Sequence, residues 1–175
     1  MNIFLTELNK EVLEKQSNLK THKENRIYEI DFTGKHLSEN LILFNESGDS
    51  KTISQIISGD MLIFRYSELN CGICIEEQIN NLNQCPESMK NKILLFTTYE
   101  THEYMLRFKR ANKISFPIFN LSKKSNNELE DIGLPYLFVL SECNMRINNM
   151  FVPLKEIPQL TEFYLKEIEK KYFTP

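Results

Sequence analysis

The sequence predicts an α/β domain, a central mixed sheet flanked by helices and preceded by an N-terminal helix and a β-hairpin. Three observations carry this. The apolar runs MLIFRY (61–66) and KILLFTT (92–98) read as buried strands. Between them, CIEEQINNLNQC places Ile75, Ile79 and Leu82 on one helical stripe. Near the C-terminus, YLFVL and MRINNMFV flank the turn SECN as an antiparallel pair.

In chain order, LTELNKEVLEKQSNLK (5–20) repeats Leu5, Leu8, Val12 and Leu13 at helical spacing, which predicts a lead-in amphipathic helix or stalk over 1–24. IYEIDF and LILF read as short strands, NESGDSK as a turn with Gly48, and Ser54 as the cap of a helical piece near SQIIS. Pro86 ends the helix that follows MLIFRY. THEYMLRFKRAN carries Met105 and Phe108 at helical spacing, ISFPIF is a short strand with Pro117 at its end, and NNELEDIG fits one or two helical turns closed by Gly133. LKEIPQLTEFYLKEIEKKYF puts Leu160, Tyr164, Ile168 and Tyr172 on one face of a terminal helix. The main domain is expected over 25–175, with its core at about 61–172.

Composition restricts the function. The 175 residues are 41% hydrophobic and 26% charged, the range of a single globular domain. A net charge of -3, spread along the chain, supplies no basic stripe for a phosphate backbone, so nucleic acid is not expected as a partner. No run approaches the roughly 18 to 20 apolar residues of a membrane span, and the first residues lack the basic start and apolar centre of a signal peptide. An export signal or anchor outside the given chain is left open. Four cysteines are too few for a disulfide scaffold.

The chemistry concentrates in RYSELNCGICIEEQI (65–79), where Cys71 and Cys74 stand three apart at a strand-to-helix junction. The pair reads as a dithiol, half a zinc site, or two inert thiols. Zinc needs a second close ligand pair, whereas Cys85, Cys143, His22, His36 and His102 are scattered. No G-x-G-x-x-G or P-loop is present, so no cofactor is expected.

The order β-α-β-α-β-(α)-β-β-α, with the dithiol at the first strand-to-helix junction, resembles the thioredoxin fold from about residue 40 to residue 172. Within it, the chain is most similar to the TlpA-like thiol-disulfide oxidoreductases of bacteria. LILFNESGDSKTISQIISGDMLIFRY resembles that branch's lead into the first core strand, CGICIEE its C-x-x-C-x-x-E pattern, and DIGLPYLFVL its cis-proline segment. The resemblance implies an enzyme in which Cys71 attacks, Cys74 resolves and Glu77 relays a proton. It makes Pro135 the cis-proline that leaves the Leu134 backbone free to bind an extended peptide, with Gly72 and Ile73 completing the substrate-facing set. It further implies disulfide-bonded or dithiol protein substrates, a redox partner protein, a monomer, and a periplasmic or extracytoplasmic location, with the cytoplasm as the alternative.

Those roles have physical grounds. A cysteine at a helix N-terminus meets unpaired N–H groups and the positive end of the helix dipole, which favour thiolate. One turn further in, Cys74 is within reach of a mixed disulfide on Cys71. Glu77 lies one turn beyond Cys74, placed for proton exchange with it. Cys85, about 16 Å along the helix from Cys74, reads as a core thiol. Cys143 falls on the order of 25 Å from Pro135 at the far end of an extended strand.

Several residues depart from the pattern. Asn70 stands where the family usually carries Trp. Arg65 occupies the neighbourhood of the buried Asp of thioredoxins proper; facing the pair, it would lower a thiol pKa, with Glu68 acting oppositely. Peroxiredoxins place Pro and Thr where Phe64 and Glu68 stand here, and copper-delivery relatives need a wider cysteine spacing and a later His. The alternatives kept open are a disulfide oxidase or isomerase, and a thioredoxin-like interaction module whose dithiol is catalytically idle.

Overall fold

The computed structural model describes residues 2–121 and 129–174, apart from the side chains of residues 2–9, 11 and 14. Its elements are α1 (Asn2–Phe32), β1 (Ile42–Phe44), β2 (Ser50–Thr52), α2 (Ile53–Ile56), β3 (Met61–Ser67), α3 (Gly72–Asn83), α4 (Glu87–Lys90), β4 (Ile93–Thr98), α5 (His102–Ala111), β5 (Ile118–Leu121), β6 (Tyr136–Ser141), β7 (Arg146–Phe151) and α6 (Gln159–Ile168). A single π-helical turn, Glu169–Phe173, continues α6.

The strands form one seven-stranded sheet in the order β2-β1-β5-β4-β3-β6-β7. β3, β4 and β5 run parallel, while β6 pairs antiparallel with β3, and β7 with β6. β3 is therefore central, and all seven of its residues are buried. The steps from β3 to β4 and from β4 to β5 go the same way across the sheet, so right-handed crossovers place α3 and α5 on one face. The packing agrees: Ile75, Ile79 and Leu82 of α3, Met105 of α5, and Leu165 and Ile168 of α6 share one cluster with Leu62, Phe64 and Leu95. The other face buries Ile63, Phe96, Tyr136 and Phe138 under Phe32, Leu41, Ile53 and Ile57.

Several expectations change. IYEIDF is helical and belongs to α1. Its segment's buried residues, Asn25, Glu29 and Phe32, recur at helical spacing, and Glu29 accepts the Val152 N–H at 3.0 Å, so tertiary contact overrides the strand-like composition. In the lead-in helix Val12 and Leu13 are exposed, and the expectation for Leu5 and Leu8 lies outside the described side chains. The cap of α2 is Thr52, whose N–H is accepted by Gln55 Oε1 at 3.0 Å, not Ser54.

Pro86 caps the extra short helix α4 after α3 has ended at Asn83. Residues 126–128 of NNELEDIG lie outside the description, and residues 129–133 are not helical. There the Asp131 carboxylate accepts the Gly133 N–H at 2.9 Å, and Gly133 sits at φ 78, so a side-chain-closed turn replaces the helix. On α6 the buried face is Thr161, Leu165 and Ile168; Leu160 is exposed.

Among the described residues no helix is long and apolar enough to cross a membrane.

Candidate active site

β3 delivers the chain to the carboxyl end of the parallel strands, and after the loop Glu68, Leu69 and Asn70 the helix α3 begins with Cys71 as its N-cap. Crevices at that end of an α/β sheet are the usual place for a site. Cys71 is exposed and Cys74 half-buried, both as free thiols. The Cys71 sulfur faces the Cys74 thiol and the backbone N–H groups of Cys74 and Ile73. These favour its thiolate and hold its pKa below the ordinary thiol value, with a smaller contribution from Lys155. Burial pushes Cys74 the other way, up to about 11, helped by its thiol being engaged by Cys71 and by the charge of Glu77. One strand-to-helix junction thus produces two sulfurs of opposite character.

The antiparallel register of β3 with β6 brings the second half of the site alongside. The register ends with Arg65 opposite Tyr136, the residue that follows Pro135. Pro135 is buried and Leu134 half-buried. The cis assignment for Pro135 is corrected: among the described residues no peptide bond is cis. The chain is turned into β6 by Gly133 in the left-handed region, which an L side chain adopts only with strain.

Arg65 is also corrected. It is 1% exposed and alternates with Tyr66 to the face away from α3. Its guanidinium donates to the Tyr66 and Leu129 carbonyls and the Thr98 hydroxyl, so it braces the loop before β6 rather than facing the thiols. The cation that acts on both sulfurs is Lys155, in the connection from β7 to α6. Glu68 is engaged elsewhere, accepting the Glu100 N–H at 2.8 Å.

Glu77 is half-buried one turn after Cys74 and close enough for its charge to act on that thiol. Gly72 and Ile73 are exposed, Ile73 at 77% and Leu69, before Cys71, at 86%, so apolar side chains flank the reactive sulfur in solvent. Cys85 is a buried thiol whose sulfur lies 3.8 Å from the Asn81 carbonyl, and burial raises it to about 11. Cys143 is exposed past the far end of β6. Among the described residues no three His, Cys, Asp or Glu side chains are grouped to hold a metal ion.

The described architecture is similar to a thiol:disulfide interchange protein from a Bacteroides species, with a TM-score of 0.63 at 14% identity over 80% of this chain and 90% of that one. The chain has a thioredoxin fold. A thioredoxin domain of a thiol-disulfide oxidoreductase from Bacteroides vulgatus is similar as well, at TM-score 0.58 and 14% identity over 76% of this chain and 97% of that one. So is a peroxidoxin from Mycobacterium tuberculosis, at TM-score 0.59 and 12% identity over 79% and 97%. No family model and no curated protein matches the sequence. At such identities the likeness carries the thioredoxin fold and nothing finer, so the chemistry has to be argued from the chain's own residues.

Sequence reasoning missed Lys155, Ser67 and Asp131. Asp131 had a local signal, an Asp two residues before a Gly, which is the pattern of a side-chain-closed turn. Lys155 had none, because only the sheet brings it to the dithiol.

Proposed function

We propose that the chain is a thiol-disulfide oxidoreductase that reduces disulfides of other proteins. The observation that carries this is the asymmetry of the pair: an exposed Cys71 held below the ordinary thiol pKa beside a half-buried Cys74 at about 11. The thiolate is the nucleophile, so Cys71 attacks first. Its sulfur bonds to one sulfur of the substrate disulfide, and the other leaves as a thiolate. Cys74 then loses its proton to Glu77, attacks the Cys71 sulfur and releases the second substrate sulfur. The substrate has gained two electrons, and Cys71 and Cys74 are joined as a disulfide, which a dithiol protein reduces to complete the cycle.

Three further features support the reading. Leu69 and Ile73 stand in solvent beside Cys71, where they suit the apolar flank of an unfolded or extended client. Leu134 and Pro135 lead into β6, which pairs with the strand that delivers Cys71, and the Leu134 backbone suits strand-like pairing with a client. Protein disulfides that need such an enzyme persist outside the reducing cytoplasm, which makes an extracytoplasmic compartment the natural setting.

The test is equilibration in graded dithiol/disulfide buffers with Cys85 and Cys143 replaced by Ala, combined with turnover of a disulfide-bonded protein. A reversible Cys71 to Cys74 disulfide near about -270 mV, with turnover lost in Cys71→Ser, fits a reductase. A value nearer about -120 to -180 mV turns the assignment to an oxidase or isomerase. If no such disulfide forms, the interaction module is the better account, and turnover of hydrogen peroxide instead of disulfide would place the chain with the peroxidoxin-like neighbours.

A further inference from the structure

Asn70, immediately before Cys71, is a polar side chain only 7% exposed. Its backbone N–H donates to the Ser67 carbonyl at 3.1 Å and its Oδ1 accepts the Ser67 N–H at 2.8 Å, closing the thiol loop on itself. Its amide nitrogen is then free to point out of that loop, and it donates to Asp131 Oδ1 at 3.3 Å. The same Asp131 oxygen accepts the Gly133 N–H at 2.9 Å, two residues before Pro135. The chain of contacts therefore runs from the Cys71 loop to the Leu134 loop through one amide and one carboxylate.

The residue types fit the task. At position 70 a side chain must accept from Ser67 and donate to a carboxylate at once; an amide does both, an Asp would present only acceptors to Asp131, and an apolar residue neither. Around Asp131 the other donors are in place. Burial works against its ionisation, but the Ser67 hydroxyl, the Gly133 N–H, the Asn70 amide and the Arg65 guanidinium outweigh it and keep the carboxyl below its usual range. Arg65 is braced on the Leu129 carbonyl, so the same loop is held from beneath.

We propose that Asn70 and Asp131 are positioning residues that tie the loop presenting Cys71 to the loop carrying Leu134 and Pro135, so that the attacking sulfur and the client-binding backbone move as one body. This rests on the oxidoreductase reading for its kinetic consequence, though not for its structural one. A reaction that uses both loops, attack on a peptide disulfide held at Leu134, needs the latch. A reaction that uses Cys71 alone does not.

The experiment compares Asn70→Ala, Asp131→Ala, the double variant and the swap Asn70→Asp/Asp131→Asn with the parent. One readout is kcat/KM for an extended disulfide-bonded peptide with dithiothreitol as electron donor. The others are iodoacetamide alkylation of Cys71 and amide hydrogen exchange at Ser67 and Gly133. Each single variant should lose about tenfold in kcat/KM and the double no more, the non-additivity of residues acting as a unit. Alkylation of Cys71 in Asn70→Ala should stay within about threefold of the parent, since its nearest favouring groups, Cys74 and Ile73, are untouched. Gly133 exchange should speed up in Asn70→Ala although its own acceptor remains. In the swap the single atom of residue 131 that meets both position 70 and the Gly133 N–H can no longer serve both, so Gly133 exchange should stay faster than in the parent. Losses that multiply in the double variant, or unchanged Gly133 exchange in Asn70→Ala, overturn the proposal. A parent that turns over no peptide defeats the oxidoreductase reading instead, and the exchange data then decide the latch by themselves.

Discussion

Selective alkylation of the reduced protein, with Cys85 and Cys143 replaced by Ala, tests the asymmetry on which the mechanism depends. At pH 7 a thiol at about 11, as Cys74 is, is ionised in about one molecule in ten thousand. Cys71 lies below 9.0, so its thiolate fraction exceeds about one in a hundred. The ionisation difference of at least about a hundredfold is offset by up to about tenfold through the greater nucleophilicity of the more basic Cys74 thiolate, which leaves a preference for Cys71 of about tenfold or more, and its greater exposure adds to this. The assay is iodoacetamide trapping over time, with each site read by peptide mass. The Cys71 rate should rise with pH through a midpoint below pH 9, while the Cys74 rate keeps climbing toward pH 11. Because the Cys74 thiol is the largest contributor to the lowering, Cys74→Ala should shift the Cys71 curve upward more than Cys74→Ser, which keeps a donor. Equal modification of the two sites at pH 7, or Cys74 reacting first, refutes the division of roles.

Replacing Lys155 by Gln removes the cation that favours both thiolates, so the Cys71 alkylation curve should move to higher pH, by an amount that shrinks in high salt because Lys155 is exposed. Leu82→Ala opens a hole at a fully buried position under α3 (0% exposed) and should cost about 3 kcal/mol in urea unfolding, with Cys71 reactivity retained at native concentrations. Asp131 has a folded pKa depressed below its ordinary 3.8, so its contribution to stability is present above that value and is lost as pH falls through the folded pKa. Asp131→Asn should accordingly flatten the acid limb of stability below about pH 4, measured by thermal unfolding across pH.

Much of the fold was readable along the chain. MLIFRY and KILLFTT became β3 and β4 because strands buried on both faces are near-continuous apolar runs, with Arg65 as the charged exception. The stripe of Ile75, Ile79 and Leu82 became the buried face of α3. The failures sit where local preference and tertiary contact disagree. IYEIDF has strand-like composition, yet its Glu29 and Phe32 are anchored against β7 and the sheet as helix. The described part of NNELEDIG, residues 129–133, has a helical pattern, yet Asp131 uses its carboxylate to close a turn there.

The sequence by itself determined that two cysteines would stand one helical turn apart at the end of a central buried strand. That follows from residue spacing and hydrophobic periodicity, both local. Only the tertiary structure decided their surroundings, because those come from distant segments that the sheet aligns. The antiparallel register with β6 sets Tyr136 opposite Arg65, alternation along β3 turns Arg65 away from α3, and the connection after β7 brings Lys155 to the sulfurs. Charge acts through space and hydrogen bonds through a few ångströms, so neither can be read from separation along a chain until the fold has converted sequence distance into physical distance.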